Sequence, residues 1–303
     1  MRRTLNRIFF SSGCVVASQT LVILILSFIT QSQSFIVFSN VRSQVKTLGF
    51  GDVKLHYSDP LPASCEVVVL GVGTAMSVND YDKLSTAIAE YGHIVAVVDH
   101  NKNNMVKTDD EKFLNLATEL KTQFFDLASD FGCKQVKHWL MGGHSASGQA
   151  AQNAIAANHG LADAVFSLDP FDASQVAPVC LPAMYWGFKH TTCFVSRNNG
   201  AAKVYEQGET NQALYQVNNK FYWSKFGYIP DYYHCSFCDS GFMLCSNFKL
   251  TPEHFYLDIA ESVDRFIQAA FYKGWSKEAL QLSDSKQLNN EEEGLYALFV
   301  NAP

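Results

Sequence analysis

The sequence predicts an α/β fold, with a mostly parallel central sheet and helices on both faces, on three observations. Apolar, β-branched runs of strand length alternate with amphipathic stretches of helix length. The runs are apolar throughout rather than alternating, as strands covered on both faces must be. The chain has 303 residues, 48% apolar and 17% charged, which suffices for one sizeable core without a low-complexity interruption.

Residues 67–70 form the first buried strand run, followed by the loop Gly71-Val72-Gly73-Thr74. Leu84, Ala87, Ile88 and Tyr91 then recur at helical spacing, and residues 94–98 make a second strand. A helix is predicted over 109–130, with Phe113, Leu116, Leu120, Phe124 and Leu127 on one face. Residues 136–141 make a third strand, leading into Gly142-Gly143-His144-Ser145 and an Ala-rich helix to about residue 157. A fourth strand is predicted over 164–168 and a fifth over 193–196. A closing helix covers 251–272, with Thr251 as its cap and Pro252 at its first position. Such an order implies right-handed crossovers and a ligand site at the carboxyl ends of the strands. The body is therefore expected over 51–275, after a linker at 35–50 and before an acidic, loosely attached tail at 276–303 carrying Glu291, Glu292 and Glu293.

The first 34 residues differ in kind. Arg2, Arg3 and Arg7 precede an apolar run at 22–29, and Ser32 and Ser34 stand at the −3 and −1 positions of a small-residue cleavage site. That is the pattern of a signal peptide; a retained anchor and a fortuitous apolar tail are the alternatives. After cleavage the body would carry 20 Lys and Arg against 29 Asp and Glu, a net −9 where the whole chain has −6. No basic stripe is present, so nucleic acid is not an expected partner. Phe35 and a short basic, Ser-bearing stretch follow the proposed cut, with no acid before Asp52. This resembles the bipartite presequences of algae with secondary plastids, so plastid delivery and ordinary secretion both stand as expectations.

Chemistry enters at Gly143-His144-Ser145-Ala146-Ser147-Gly148, where the third strand gives way to a helix. A serine there must take a strained turn that lifts its hydroxyl above the sheet, and small neighbours let strand and helix pass closely. Ser147 occupies the place where such turns usually carry a second glycine, and is small enough for it. The N–H of Ala146, at the helix start, can donate to a developing oxyanion. The alternative is a glycine-rich turn capped by Ser145 without chemistry.

A nucleophilic serine needs a base and an acid that orients it, arriving later in the chain. Asp169 directly follows the strand at 164–168 and is fixed by Pro170, with Asp172 in reserve. Among the later histidines, His234 sits in the aromatic loop Tyr232-Tyr233-His234-Cys235-Ser236-Phe237, where a general base must hang. His254 falls in the first turn of the closing helix, a place for a surface residue, while His190 and His159 compete less well. The second oxyanion donor should come from the loop after the first strand, from Gly73 or Thr74.

Three blocks carry a resemblance: Gly143 to Gly148 as written above, Ser167-Leu168-Asp169-Pro170-Phe171-Asp172, and Tyr233-His234-Cys235-Ser236-Phe237-Cys238-Asp239. In order and spacing they resemble motifs of plant chlorophyllases, and the related blocks of platelet-activating-factor acetylhydrolases. The resemblance implies the α/β-hydrolase fold and a triad of Ser145, Asp169 and His234. It further implies hydrolysis of the phytyl ester of chlorophyll to chlorophyllide and phytol, with no metal or organic cofactor. The histidine–glycine pair of the family's oxyanion loop is replaced here by Gly71-Val72-Gly73.

Aromatic residues suggest the substrate wall. Met184, Tyr185, Trp186 and Phe188 form one cluster; Phe221, Tyr222, Trp223, Phe226 and Tyr228 form another just before His234. Tyr185, Trp186, Phe221, Trp223 and Phe237 are the candidate contacts to an apolar ester, although aromatic runs are commonly core. An apolar ester also suits peripheral association with a membrane. His234, Cys235, Cys238 and Cys245 admit a zinc reading, weakened by the lack of a second close cysteine pair. Disulfides Cys238–Cys245 or Cys180–Cys193 and buried thiols are the alternatives. Besides a chlorophyllase-type esterase, the sequence admits a secreted lipase or phospholipid esterase, and an inactive protein of the same fold that binds lipid or pigment.

Overall fold

The computed structural model of the chain divides into Met1–Val37 and Phe38–Pro303. It describes residues 40–100, 109–128, 132–189, 200–208, 211–217, 221–224, 227–230, 234–239, 253–282 and 296–301. The first unit, which holds the expected signal segment, lies outside them, as do the predicted strand at 193–196 and the expected cap Thr251 with Pro252.

Eleven strands are described: β1 (Val41–Leu48), β2 (Gly51–Ser58), β3 (Ser64–Gly71), β4 (Ile94–Asp99), β5 (Gln135–His144), β6 (Ala164–Leu168), β7 (Ala183–Phe188), β8 (Gln212–Val217), β9 (Phe221–Ser224), β10 (Gly227–Pro230) and β11 (Tyr296–Asn301). Nine form one sheet in the order β1-β2-β4-β3-β5-β6-β7-β8-β11, and β9 pairs with β10 in a separate hairpin. The six strands β4-β3-β5-β6-β7-β8 are parallel. Antiparallel strands flank them, β1 and β2 on one side and β11 on the other.

Six α-helices are described: α1 (Asp82–Ala89), α2 (Asp110–Ala128), α3 (Ala146–Ala157), α4 (Gly200–Gln207), α5 (Glu253–Gln268) and α6 (Lys277–Leu280). Side chains alternate across each central strand, so β3 sends Val68 and Leu70 into one core and Val67 and Val69 into the other. The first core is covered by α1 and α5, through residues such as Leu84, Ile88, Phe255, Ile259 and Phe266. The second is covered by α2, α3 and α4, where Phe113, Leu116, Leu120 and Phe124 face the sheet as the helical spacing predicts. From β3 the chain crosses to β4 on one side and returns to β5 on the other. The carboxyl ends of β3 and β5 thus form a topological switch point, the place where doubly wound sheets bind their ligands.

Two boundaries need correction. The stretch read as a linker at 35–50 contains β1, which pairs along its length with β2. The tail at 276–303 contains α6 and β11, and β11 pairs antiparallel with β8 from Tyr296↔Val217 to Asn301↔Gln212. Both strands lie at sheet edges, and in β1 the exposed Arg42, Ser43 and Lys46 interrupt the apolar pattern that marks the central strands.

Candidate active site

Ser145 occupies the single residue between β5 and α3, at φ 57° and ψ −122°. Positive φ is costly for a residue with a Cβ, and this strain aims the hydroxyl out of the sheet. The turn is held by Ser145 N–H donating to Leu168 O at 2.9 Å. Two glycines permit its tightness. A Cβ on Gly143 would stand 2.7 Å from Ser147 Cβ and 2.8 Å from Gly71 O, and one on Gly148 would stand 2.8 Å from Gly143 O. Ser147 does more than replace a glycine: its hydroxyl donates to Val72 O, tying α3 to the loop after β3. Ala146 is the first residue of α3, so its N–H has no acceptor within the helix.

Asp169 follows β6, is fully buried, and takes φ 46° while its N–H donates to Trp186 O at 2.7 Å. Its Oδ2 lies 2.7 Å from Nδ1 of His234. A carboxylate only accepts, so Nδ1 carries the hydrogen of this bond, and in the neutral ring Nε2 presents a lone pair. His234 opens the 3₁₀ turn His234–Phe237 and is 4% exposed. The structure therefore brings Asp169 and His234 together at the end of the sheet that carries Ser145. Among the described residues no hydrogen bond joins the Ser145 hydroxyl to His234; the histidine is instead tied by its backbone to the residue before the serine.

That residue is His144, and sequence reasoning passed over it. Its Nε2 lies 2.9 Å from His234 O and its Nδ1 2.7 Å from the Tyr81 hydroxyl. The Tyr81 hydroxyl in turn accepts from Gly73 N–H at 2.8 Å. Burial, together with the neighbouring His234, holds the His144 pKa well below its usual 6.5, so the ring is neutral. The only signal in the sequence is a polar side chain amid small residues in Gly143-His144-Ser145.

No protein-family model matches the chain, and no curated protein does.

Several candidates take other roles. Gly73 spends its N–H on Tyr81, which leaves half-buried Thr74 as the loop's candidate donor. Tyr185 and Trp186 are core, not pocket wall: both are fully buried in β7. Gln152 donates to the Tyr185 hydroxyl, while Trp186 stacks on Tyr215 and donates from its indole to Ser262 Oγ. A central strand with helices on both faces has no free side, which is why this cluster misled. Phe237 is fully buried against His144, Phe188 and Phe255, beneath the site. Phe221 and Trp223 lie in the β9–β10 hairpin, their side chains outside the described residues. Asp172 caps its own turn through Ser174 and Gln175, and His254 and His159 are exposed.

The cysteines also depart from expectation. Cys65 and Cys133 form a disulfide, joining the start of β3 to the segment before β5. Cys235 is disulfide-bonded as well, which removes it as a zinc ligand. Cys180 and Cys238 are thiols, so neither Cys180–Cys193 nor Cys238–Cys245 forms.

Proposed function

We propose that this chain is a serine hydrolase of the α/β-hydrolase fold that cleaves a carboxylic ester of an apolar substrate, with Ser145, His234 and Asp169 as its triad. The observation that carries the reading is the buried Asp169–His234 pair at 2.7 Å, at the sheet end where Ser145 stands on a positive-φ turn. Support for the fold comes from a parallel sheet crossed between β3 and β5, a strand–Ser–helix turn at that crossing, and the chain order Ser, Asp, His.

On this reading the steps are those of acyl transfer through a serine ester. Ser145 Oγ attacks the ester carbonyl carbon while Nε2 of His234 takes its proton, and Asp169 stabilises the imidazolium through Nδ1. The N–H of Ala146 and that of Thr74 receive the developing oxyanion. As the tetrahedral intermediate collapses, the C–O bond to the alcohol breaks and the imidazolium returns the proton to the leaving oxygen. Water, deprotonated by His234, then cleaves the acyl-enzyme and frees Ser145. These steps call on no metal or organic cofactor.

The resemblance to chlorophyllases extends the proposal to the phytyl ester of chlorophyll, releasing chlorophyllide and phytol. The purified chain should hydrolyse p-nitrophenyl butyrate, and Ser145→Ala should not. Equal rates for the two would contradict the reading and favour an inactive protein that binds lipid or pigment. Incubation with chlorophyll and with triacylglycerol, followed by chromatography of the products, distinguishes a pigment esterase from a lipase. Phytol release is the expected result.

A further inference from the structure

We propose that Tyr81 and His144 are positioning residues, linking the oxyanion loop, the serine turn and the base through one buried hydrogen-bond chain. This rests on the hydrolase reading above and adds to it two residues that touch neither the substrate nor the reacting atoms.

Every proton in the chain has one place. The acceptor at one end is His234 C=O, which cannot donate, so Nε2 of His144 carries the hydrogen at 2.9 Å. In a neutral ring Nδ1 must then accept, so the Tyr81 O–H donates to it at 2.7 Å. The Tyr81 oxygen keeps a lone pair for Gly73 N–H at 2.8 Å. Tyr81, His144 and His234 are all buried, so water does not compete for these bonds. Burial also pushes the Tyr81 hydroxyl well above its usual range and His144 well below its own, so both stay neutral.

The three anchors are the pieces that must keep a fixed mutual position for acyl transfer. Gly73 belongs to the loop after β3, and the chain commits its N–H, which leaves that of Thr74 as the loop's candidate oxyanion donor. His144 is the last residue of β5, covalently joined to Ser145. His234 is held at both ends, its carbonyl by His144 and its Nδ1 by Asp169, and this leaves the imidazole one orientation. The rings of His144 and His234 also pack at a centroid distance of 4.5 Å. Ser147 holds the same loop from its other side through Val72 O.

The test uses the purified full-length chain and p-nitrophenyl butyrate, with phenylboronic acid as a tetrahedral adduct of the serine. Tyr81→Phe keeps the ring but removes the hydroxyl, and should lower kcat by ~10- to 100-fold with KM within about two-fold. The inhibition constant of phenylboronic acid should rise by a similar factor, because its adduct uses the same oxyanion donors. His144→Gln retains an amide that reaches the carbonyl and should keep at least ~10-fold more activity than His144→Leu. Unchanged kcat and inhibition constant in Tyr81→Phe, with only a lower melting temperature, would overturn the proposal and leave a purely structural pair. Should that variant fail to fold, His144→Gln against His144→Asn decides, and equal rates for these two overturn it. Ser145→Ala runs beside them: if it stays active the hydrolase reading itself falls, and this proposal with it. If it is dead while Tyr81→Phe is unaffected, only the positioning role is lost.

Discussion

Two buried histidines face carboxylates at opposite ends of the same sheet. At the carboxyl ends of the strands, His234 meets one carboxylate, Asp169, through Nδ1. At the amino ends, His93 lies just before β4 between two, with Nε2 3.1 Å from Asp264 and Nδ1 3.8 Å from Glu66. Burial alone would depress His93, but the bonds and charges of Asp264 and Glu66 outweigh it and raise its pKa to about 9. Glu66 is likewise held down, against its burial, to about 2 by the neighbouring His93 cation and a hydrogen bond from Tyr272. His93 is thus a fixed cation that clamps α5 to the sheet. With a carboxylate on each nitrogen it has no lone pair for proton transfer, and its neighbourhood holds no strained serine. A histidine–carboxylate contact is therefore no signature of catalysis by itself. The number of carboxylates, the free nitrogen and the end of the sheet decide the role.

Substitutions at the two ends should separate along that line. The largest effect is expected for Ser145→Ala, a loss of kcat of about 10⁴-fold or more with the fold intact by circular dichroism. Asp169→Asn should cost about 10³- to 10⁴-fold in kcat, since an amide at Nδ1 no longer selects the tautomer with a free Nε2. At the other end, replacing the Cys65–Cys133 disulfide by alanines should lower unfolding free energy by roughly 2–4 kcal/mol in denaturant titrations, with kcat retained. Asp264→Asn should cost about 1–3 kcal/mol, again with kcat retained. Its pH dependence has a definite sign. The pKa of His93 is raised on folding, so its contribution is complete below 6.5 and lost as pH rises through about 9. Glu66, whose pKa is lowered, contributes above 4.5 and loses its effect as pH falls towards 2. The gap between wild type and Asp264→Asn should accordingly be widest near pH 6 and close above pH 9. A kcat change in Asp264→Asn comparable to that in Asp169→Asn would erase the distinction between the two ends.

The same contrast explains what was legible in the sequence. The strands β3, β4 and β6 read directly, because a parallel strand covered on both faces is apolar along most of its length, as residues 94–98 and 164–166 are. The serine turn was legible because small residues are obligatory where strand and helix pass closely. The edge strands β1 and β11 were not: β1, though it pairs in a hairpin with β2, carries the polar Arg42 and Lys46 at exposed positions, and β11 takes its pairing from β8, far back in the chain. Asp169 and His234 could be placed by order, but their contact spans 65 residues and no local pattern encodes it. Tyr81 and His144 were missed for a related reason: a buried polar pair has no periodicity, and its meaning lies in what its hydrogen bonds join.

The central claim is that Ser145 is made nucleophilic by His234. Its most direct test is covalent labelling of the purified chain with diisopropyl fluorophosphate, mapped by peptide mass spectrometry in wild type and in His234→Ala. The account predicts a single phosphoryl adduct on Ser145 in wild type, formed at least ~100-fold more slowly in the variant. Labelling of another residue, or the same rate at Ser145 with and without the imidazole, would contradict it.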